Sequence, residues 1–99
     1  MRTVACDLHM HSCLSPCGED TMTPATAAGL SRLSGVDVAA LTDHNTVRND
    51  PAFAEACEAY GISPLCGMEL TTAEEIHMVC LFLNYEAAAS FEKEVWSRR

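Results

Sequence analysis

Val36-Asp37-Val38-Ala39-Ala40-Leu41-Thr42-Asp43-His44-Asn45 is an apolar run, Val36 to Leu41, closed by a carboxylate and an imidazole. It reads as a strand that delivers His44 at its carboxyl end. Asp7-Leu8-His9-Met10-His11-Ser12 repeats the arrangement at the end of an earlier apolar run, Thr3 to Leu8. Side chains alternate along a strand, so His9 and His11 point to the same face and can grip one ion or two neighbouring ions. Ligands gathered at strand ends are the usual arrangement of α/β enzymes.

Working outward, strands alternate with helices. Thr3 to Leu8 is followed by a loop, Ser12 to Thr21. Thr23-Pro24 is an N-cap with proline at the first helical position, and Ala27, Leu30 and Leu33 form a stripe that ends at Ser34-Gly35. After the Val36 to Leu41 strand, Asp50-Pro51 repeats the cap-and-proline start, Phe53, Cys57 and Tyr60 line one face, and Gly61 stops the helix. Ile62 to Leu70 is a third strand region, interrupted early by Pro64, and Ile76 to Leu83 a fourth. A helix from Tyr85 to Ser97 closes the chain on a stripe of Ala88, Phe91 and Val95. The order βαβαββα contains no internal repeat, linker or low-complexity tract, and predicts one α/β domain over 1–99 with mainly parallel pairing.

The third and fourth strands add two candidate ligands. Gly67-Met68-Glu69 places a carboxylate near the end of its strand, and His77 opens the next strand after the polar turn Thr71 to Glu75. All four histidines of the chain then fall at the rim of a predicted strand and none in a helix. A single such histidine is ordinarily structural; four together point to metal. Imidazole with carboxylate suits Zn²⁺, Mn²⁺ or Fe²⁺ better than Mg²⁺ or Ca²⁺, which prefer oxygen shells.

Composition narrows the partners. A formal charge of −8, with six lysines and arginines in 99 residues, excludes a nucleic-acid grip by the protein's own basic surface. If the substrate is a phosphate ester, bound cations must supply most of the attraction. The longest apolar runs are strand-sized, so no membrane role is expected. Six cysteines without a preceding signal peptide predict a cytoplasmic chain with reduced thiols. Cys6, Cys66 and Cys80 lie in apolar stretches and are expected to be buried. Cys13 and Cys17 flank Leu14-Ser15-Pro16 just after His11, near enough to proposed ions to be ligands or to oxidise. Ser12 and Ser15 have no base beside them in the sequence pattern and read as loop or cap residues.

These segments resemble the PHP family, the polymerase-and-histidinol-phosphatase domain of metal-dependent phosphoesterases. Asp7-Leu8-His9-Met10-His11-Ser12 is similar to its first motif, Thr42-Asp43-His44-Asn45 to its second, and Gly67-Met68-Glu69 with His77-Met78-Val79 to its third. The resemblance implies a distorted seven-stranded β/α barrel carrying two or three divalent ions at the carboxyl ends of its strands. It implies that His9 and His11 bind one ion, that Glu69 bridges two, and that His44 and His77 bind the others. Asp7 and Asp43 match motif acids and are expected to orient imidazoles or hold a water.

The chain departs from the pattern twice. Where many members carry an acidic ligand in an Asp-Gly pair, the loop here reads Ser15-Pro16-Cys17-Gly18-Glu19-Asp20; Glu19 is the expected replacement and Asp20 the alternative. The family's closing strands, with a further histidine and an Asp-x-His motif, do not appear before Arg99, so the expectation is a half-barrel, truncated or completed by a partner chain, including a second copy. The expected substrates are a phosphorylated small molecule, a nucleotide or an oligonucleotide end. Two other classes compete: a metal-binding structural module, and a thiol redox protein built on Cys13 and Cys17.

Overall fold

The computed structural model describes residues 3–98. The elements run β1 (Cys6–Met10), α1 (Pro24–Leu33), β2 (Val38–Leu41), α2 (Asp50–Ala59), β3 (Ser63–Thr71), β4 (His77–Phe82) and α3 (Tyr85–Ser97). The strands form one sheet in the order β1-β2-β3-β4, with β1, β2 and β3 parallel and β4 antiparallel to β3. The sheet curls into half of a β/α barrel with three helices, the partial barrel and βαβαββα order that the sequence predicts.

Strand alternation divides the sheet into two faces. Ala39 and Leu41 point to the helix side, where they pack with Ala27 and Ala28 of α1, Phe53 and Cys57 of α2, and Ile62. Met68 continues that side and meets Ala88 of α3, joined by Val47 and flanked by Cys66, Phe82 and Phe91. Phe53, Leu41 and Met68 are fully buried, and burial of a side chain of this size contributes about 1.5–3 kcal/mol. The other face carries Leu65, Gly67, Glu69 and Thr71 on β3 opposite Leu81, Val79 and His77 on β4. Leu65, Val79 and Leu81 are about two-fifths exposed there (39%, 44% and 44%), because β1 and β4 are the sheet's edges and, among the described residues, no further strand closes the curl over them. Gly67 has no room for a side chain: a Cβ there would lie 2.8 Å from Thr42 Cγ2 and 3.2 Å from Leu81 Cδ2.

Several expectations need correction. β1 begins at Cys6 and runs to Met10, because its partner starts only at Val38; the Ala5 carbonyl still accepts the Asp37 and Val38 N–H groups. Pro64 does not interrupt β3 but lies within it, opposite Ala39. In α1 the buried residues are Ala27, Ala28 and Ser31, whereas Leu30 and Leu33 are 48% and 85% exposed, since the small residues face the core and let the helix approach α2 closely. The cap of α2 is Asn49, not Asp50, whose carboxylate turns inward to accept the Gly67 N–H at 3.0 Å. Cys57 is the buried thiol; Cys6 is exposed and Cys80 partly exposed, on the edge strands β1 and β4, and Cys66 of β3 is partly exposed.

Candidate metal centre

Four imidazoles converge on one carboxylate at a single rim of the sheet. The carboxyl ends of β1, β2 and β3 lie together because the three are parallel, and β4, antiparallel, begins at the same rim. β3 outruns β2, so its last residues pair with the loop beyond β2: Glu69 N–H donates to the Asp43 carbonyl, and His44 bridges to Glu69. Glu69 is 5% exposed. Its Oε1 lies 2.6 Å from His9 Nε2 and 3.1 Å from His11 Nε2, and its Oε2 lies 2.9 Å from His77 Nδ1 and 4.0 Å from His44 Nδ1. The rings of His11 and His44 are stacked, with centroids 4.7 Å apart and planes within 7°.

Burial pushes the Glu69 carboxyl up, but hydrogen bonds from His9 and His77 and the charge of His44 and His9 outweigh it, so its pKa lies below the ordinary value. Burial and the nearby His44 hold the His11 imidazole below its usual value despite Glu69, leaving a neutral ring with a free lone pair. One carboxylate among several imidazole nitrogens is the donor set that a divalent transition ion takes, and the residues present fit one. Three groups bring ligand atoms within 4.8 Å of one another: His9, His11 and Glu69; His44, Glu69 and His77; and His11, Cys17 and His44.

The third group changes the reading of the loop. Glu19 and Asp20 are both exposed, and among the described residues neither joins such a group; Cys17 does. Cys13 does not share that position, its N–H pairing with the Met22 carbonyl. The loop turns back twice, Ser15 N–H to the Ser12 carbonyl at 3.1 Å and Gly18 N–H to the Ser15 carbonyl at 2.9 Å. Only glycine fits at Gly18, since a Cβ there would meet the Ser12 carbonyl oxygen at 2.1 Å.

Behind the imidazoles is a buried polar network that the sequence concealed. Asp43, 1% exposed, accepts Ser12 N–H at 2.6 Å, Ser12 Oγ–H at 2.6 Å and Ser15 Oγ–H at 2.7 Å. Because the Ser15 hydroxyl has one proton and gives it to Asp43, its oxygen accepts from the His44 backbone N–H at 3.1 Å and from His11 Nδ1 at 3.3 Å. His11 is thereby held as the Nδ1–H tautomer, with the Nε2 lone pair turned toward the centre. Asn49 Nδ2 adds a bond to Ser12 Oγ at 3.0 Å. Asp7 lies outside this network: its Oδ1 accepts the His9 N–H at 3.3 Å, and it shares with His11 the wall of a cleft of about 290 Å³. No sequence period marks Ser12 and Ser15 as buried; their place just after a ligand strand was the available signal.

Asn45 fixes the other side. It adopts a left-handed conformation (φ 56°), and its side chain accepts the Thr71 N–H at 2.9 Å while its carbonyl accepts the Trp96 indole N–H at 3.0 Å. Asparagine tolerates this backbone region better than most residues. His44 Nδ1 in turn sits 2.9 Å from Thr71 Oγ1.

A curled β/α half-barrel with imidazoles and one buried carboxylate at its rim defines a class, the metal-binding β/α barrel proteins. The PHP domain model matches residues 7–93, and the chain belongs to that family. It is 27% identical over 96 residues to the uncharacterized protein MJ1587 of Methanocaldococcus jannaschii, a match covering 89% of this chain and 56% of that one. Among solved structures it is similar to an amidohydrolase from Chromobacterium violaceum with bound sulfate and no metal, at TM-score 0.72 and 27% identity over 92% of this chain and 33% of that one. It is also similar to a protein assigned as a metal-dependent phosphoesterase from Bifidobacterium adolescentis, at TM-score 0.64 and 28% identity over 81% of this chain and 27% of that one. The chain thus spans about half the length of the archaeal relative and a third or less of the two solved chains.

Proposed function

We propose that the chain carries the metal-binding half of a hydrolase site that acts on phosphate esters: of small molecules, nucleotides or oligonucleotide ends. The observation that carries this reading is the convergence of His9, His11, His44 and His77 on a buried Glu69. Two or three divalent ions, zinc, manganese or iron, would supply Lewis-acid charge for phosphate oxygens and lower the pKa of the attacking water. The remaining work falls to the chain. Glu69 neutralises the ions, and Asp43 acts through Ser12 and Ser15 as a positioning residue that keeps His11 in one tautomer. Asp7, which accepts the His9 backbone N–H, is assigned by the family resemblance the part of orienting an imidazole or holding a water. With six basic residues in the whole chain, attraction for an anionic substrate rests on the loaded centre.

Family membership and the likeness to both hydrolase structures support hydrolysis in general; the choice of phosphate over amide rests on the PHP resemblance. A second reading, a metal-binding structural module, is favoured by the open inner face at Leu65, Val79 and Leu81. Among the described residues no helix is long and apolar enough to cross a membrane; the six unpaired thiols support a cytoplasmic setting. The test is metal analysis combined with phosphomonoester, phosphodiester and amide substrates. Metal-dependent phosphate release supports the esterase, amide cleavage alone replaces it, and tight metal binding without turnover in any form of the domain leaves the structural module.

A further inference from the structure

We propose that Cys17 is a metal ligand, and that with His11 and His44 it forms a sulfur-containing position selective for thiophilic ions such as Zn²⁺ over Mn²⁺. This rests on the reading that the histidine and Glu69 cluster binds divalent ions. The ligand atoms of Cys17, His11 and His44 lie within 4.8 Å of one another. The other two groups each contain an oxygen of Glu69, whereas this one contains no carboxylate. His11 and His44 also belong to the Glu69 groups, but a neutral imidazole gives its one lone pair to one ion, so those serving here leave Glu69 to be met by His9 and His77. Two neutral imidazoles supply no charge to hold a dication; the Cys17 thiolate is the anionic donor that the position otherwise lacks. Thiolate with imidazole suits zinc and its soft neighbours, while carboxylate and water suit manganese.

The loop is shaped to put the sulfur there. The two turns from Ser12 to Gly18 fold it back, Gly18 presses against the Ser12 carbonyl, and Ser15 ties it to the His44 and His11 backbone and ring. Cys17 then lines a cleft of about 290 Å³ with Pro16, His44, Thr71 and His77. The sulfur is exposed to that cleft rather than packed into the core, as an entering ion requires.

The experiment is a titration of the reduced 99-residue chain with Co²⁺ alone, read by absorbance. A near-ultraviolet sulfur-to-cobalt charge-transfer band is expected in the native chain and in Cys13→Ser, and is expected to vanish in Cys17→Ser. Visible cobalt bands from the Glu69 groups persist in Cys17→Ser, with one ion fewer per chain. Cys17→Asp restores that ion without the charge-transfer band and shifts its preference toward Mn²⁺. In parallel, Zn²⁺ slows alkylation of Cys17 by about tenfold or more while leaving Cys6 unprotected. Cobalt bound by the native chain without a thiolate band, or a band that survives Cys17→Ser, overturns the proposal and leaves the Glu69 centre standing. Absence of any cobalt binding overturns both.

Discussion

The Ser15 hydroxyl lies 2.7 Å from Asp43 Oδ1, and this contact decides the protonation pattern of the His11 ring, the first residue beyond β1. With its proton committed to Asp43, Ser15 can only accept from His11. Ser15→Ala is expected to release the His11 tautomer and weaken metal affinity by about 10–100-fold, the usual cost of losing a group that orients a ligand. Losing a buried partner of Asp43 should also cost about 1–3 kcal/mol in stability. Nitrogen-15 NMR of the His11 ring shows the tautomer directly, and calorimetry the affinity; an unchanged Nδ1–H signal in the variant would contradict the assignment.

His9 and His11 both reach Glu69 Oε1, at 2.6 and 3.1 Å. Replacing both by alanine is expected to remove at least one bound ion per chain. Elemental analysis of the purified double variant checks this, and stoichiometry and affinity equal to the native chain would sink the ligand set.

Asp50 gives the apo protein an unusual pH dependence. Burial pushes its carboxyl up to about 8, with Asp43 and Glu92 adding to the effect against the Gly67 hydrogen bond. The unfolded chain releases that proton near the ordinary value of 3.8, so across the window between the two values the folded state holds more protons and stability falls as pH rises. Glu69 and His11, both shifted down, act in the opposite direction at lower pH, leaving pH 6.5 to about 8 as the interval where Asp50 dominates. The slope there is at most about 1.4 kcal/mol per pH unit. Denaturant titrations in chelator should show it, and Asp50→Asn should flatten it and raise stability at the alkaline end. A native chain whose stability rises over this interval would refute the account.

Turnover is expected to depend on covering the inner face. The chain alone should bind metal yet hydrolyse phosphate esters poorly, because preorganised catalysis tolerates misplacement of only about 0.5 Å. A chimera that appends the unmatched part of the archaeal relative should gain metal-dependent activity. Equal rates for the two would show that the four-stranded sheet suffices.

The same open face should drive association. Leu65, Val79 and Leu81 form an apolar strip beside an unpaired β4 edge, and such edges recruit other chains. Light scattering at micromolar concentration is expected to show a dimer or larger assembly, burying roughly 1,000 Å² or more if specific. A monomer with cooperative unfolding would mean that the face is tolerated in water.

The fold and the ligand set were legible to different depths. Element order and type could be read because apolar runs and cap residues are local, and α3 matches its expected span of Tyr85–Ser97. The convergence of the histidines on Glu69 could be read because each closes or opens a strand. Burial was harder: Leu33 is apolar but solvent-facing, and Ser12 and Ser15 are polar but buried, since both depend on which elements pack across the sheet. That Cys17, and not Glu19, lies within reach of His11 and His44 was beyond any spacing rule. It follows from the Gly18 approach to the Ser12 carbonyl, a contact between residues six apart whose geometry no local pattern encodes.

The bond from the Trp96 indole to the Asn45 carbonyl has a practical side. Trp96 is the chain's single tryptophan, and it is wired to the residue directly after His44. Anything that shifts the His44 backbone moves the acceptor of that indole proton. The molecule therefore carries its own optical gauge: changes in intrinsic emission report on the rim from the far end of α3, with no label and no substrate.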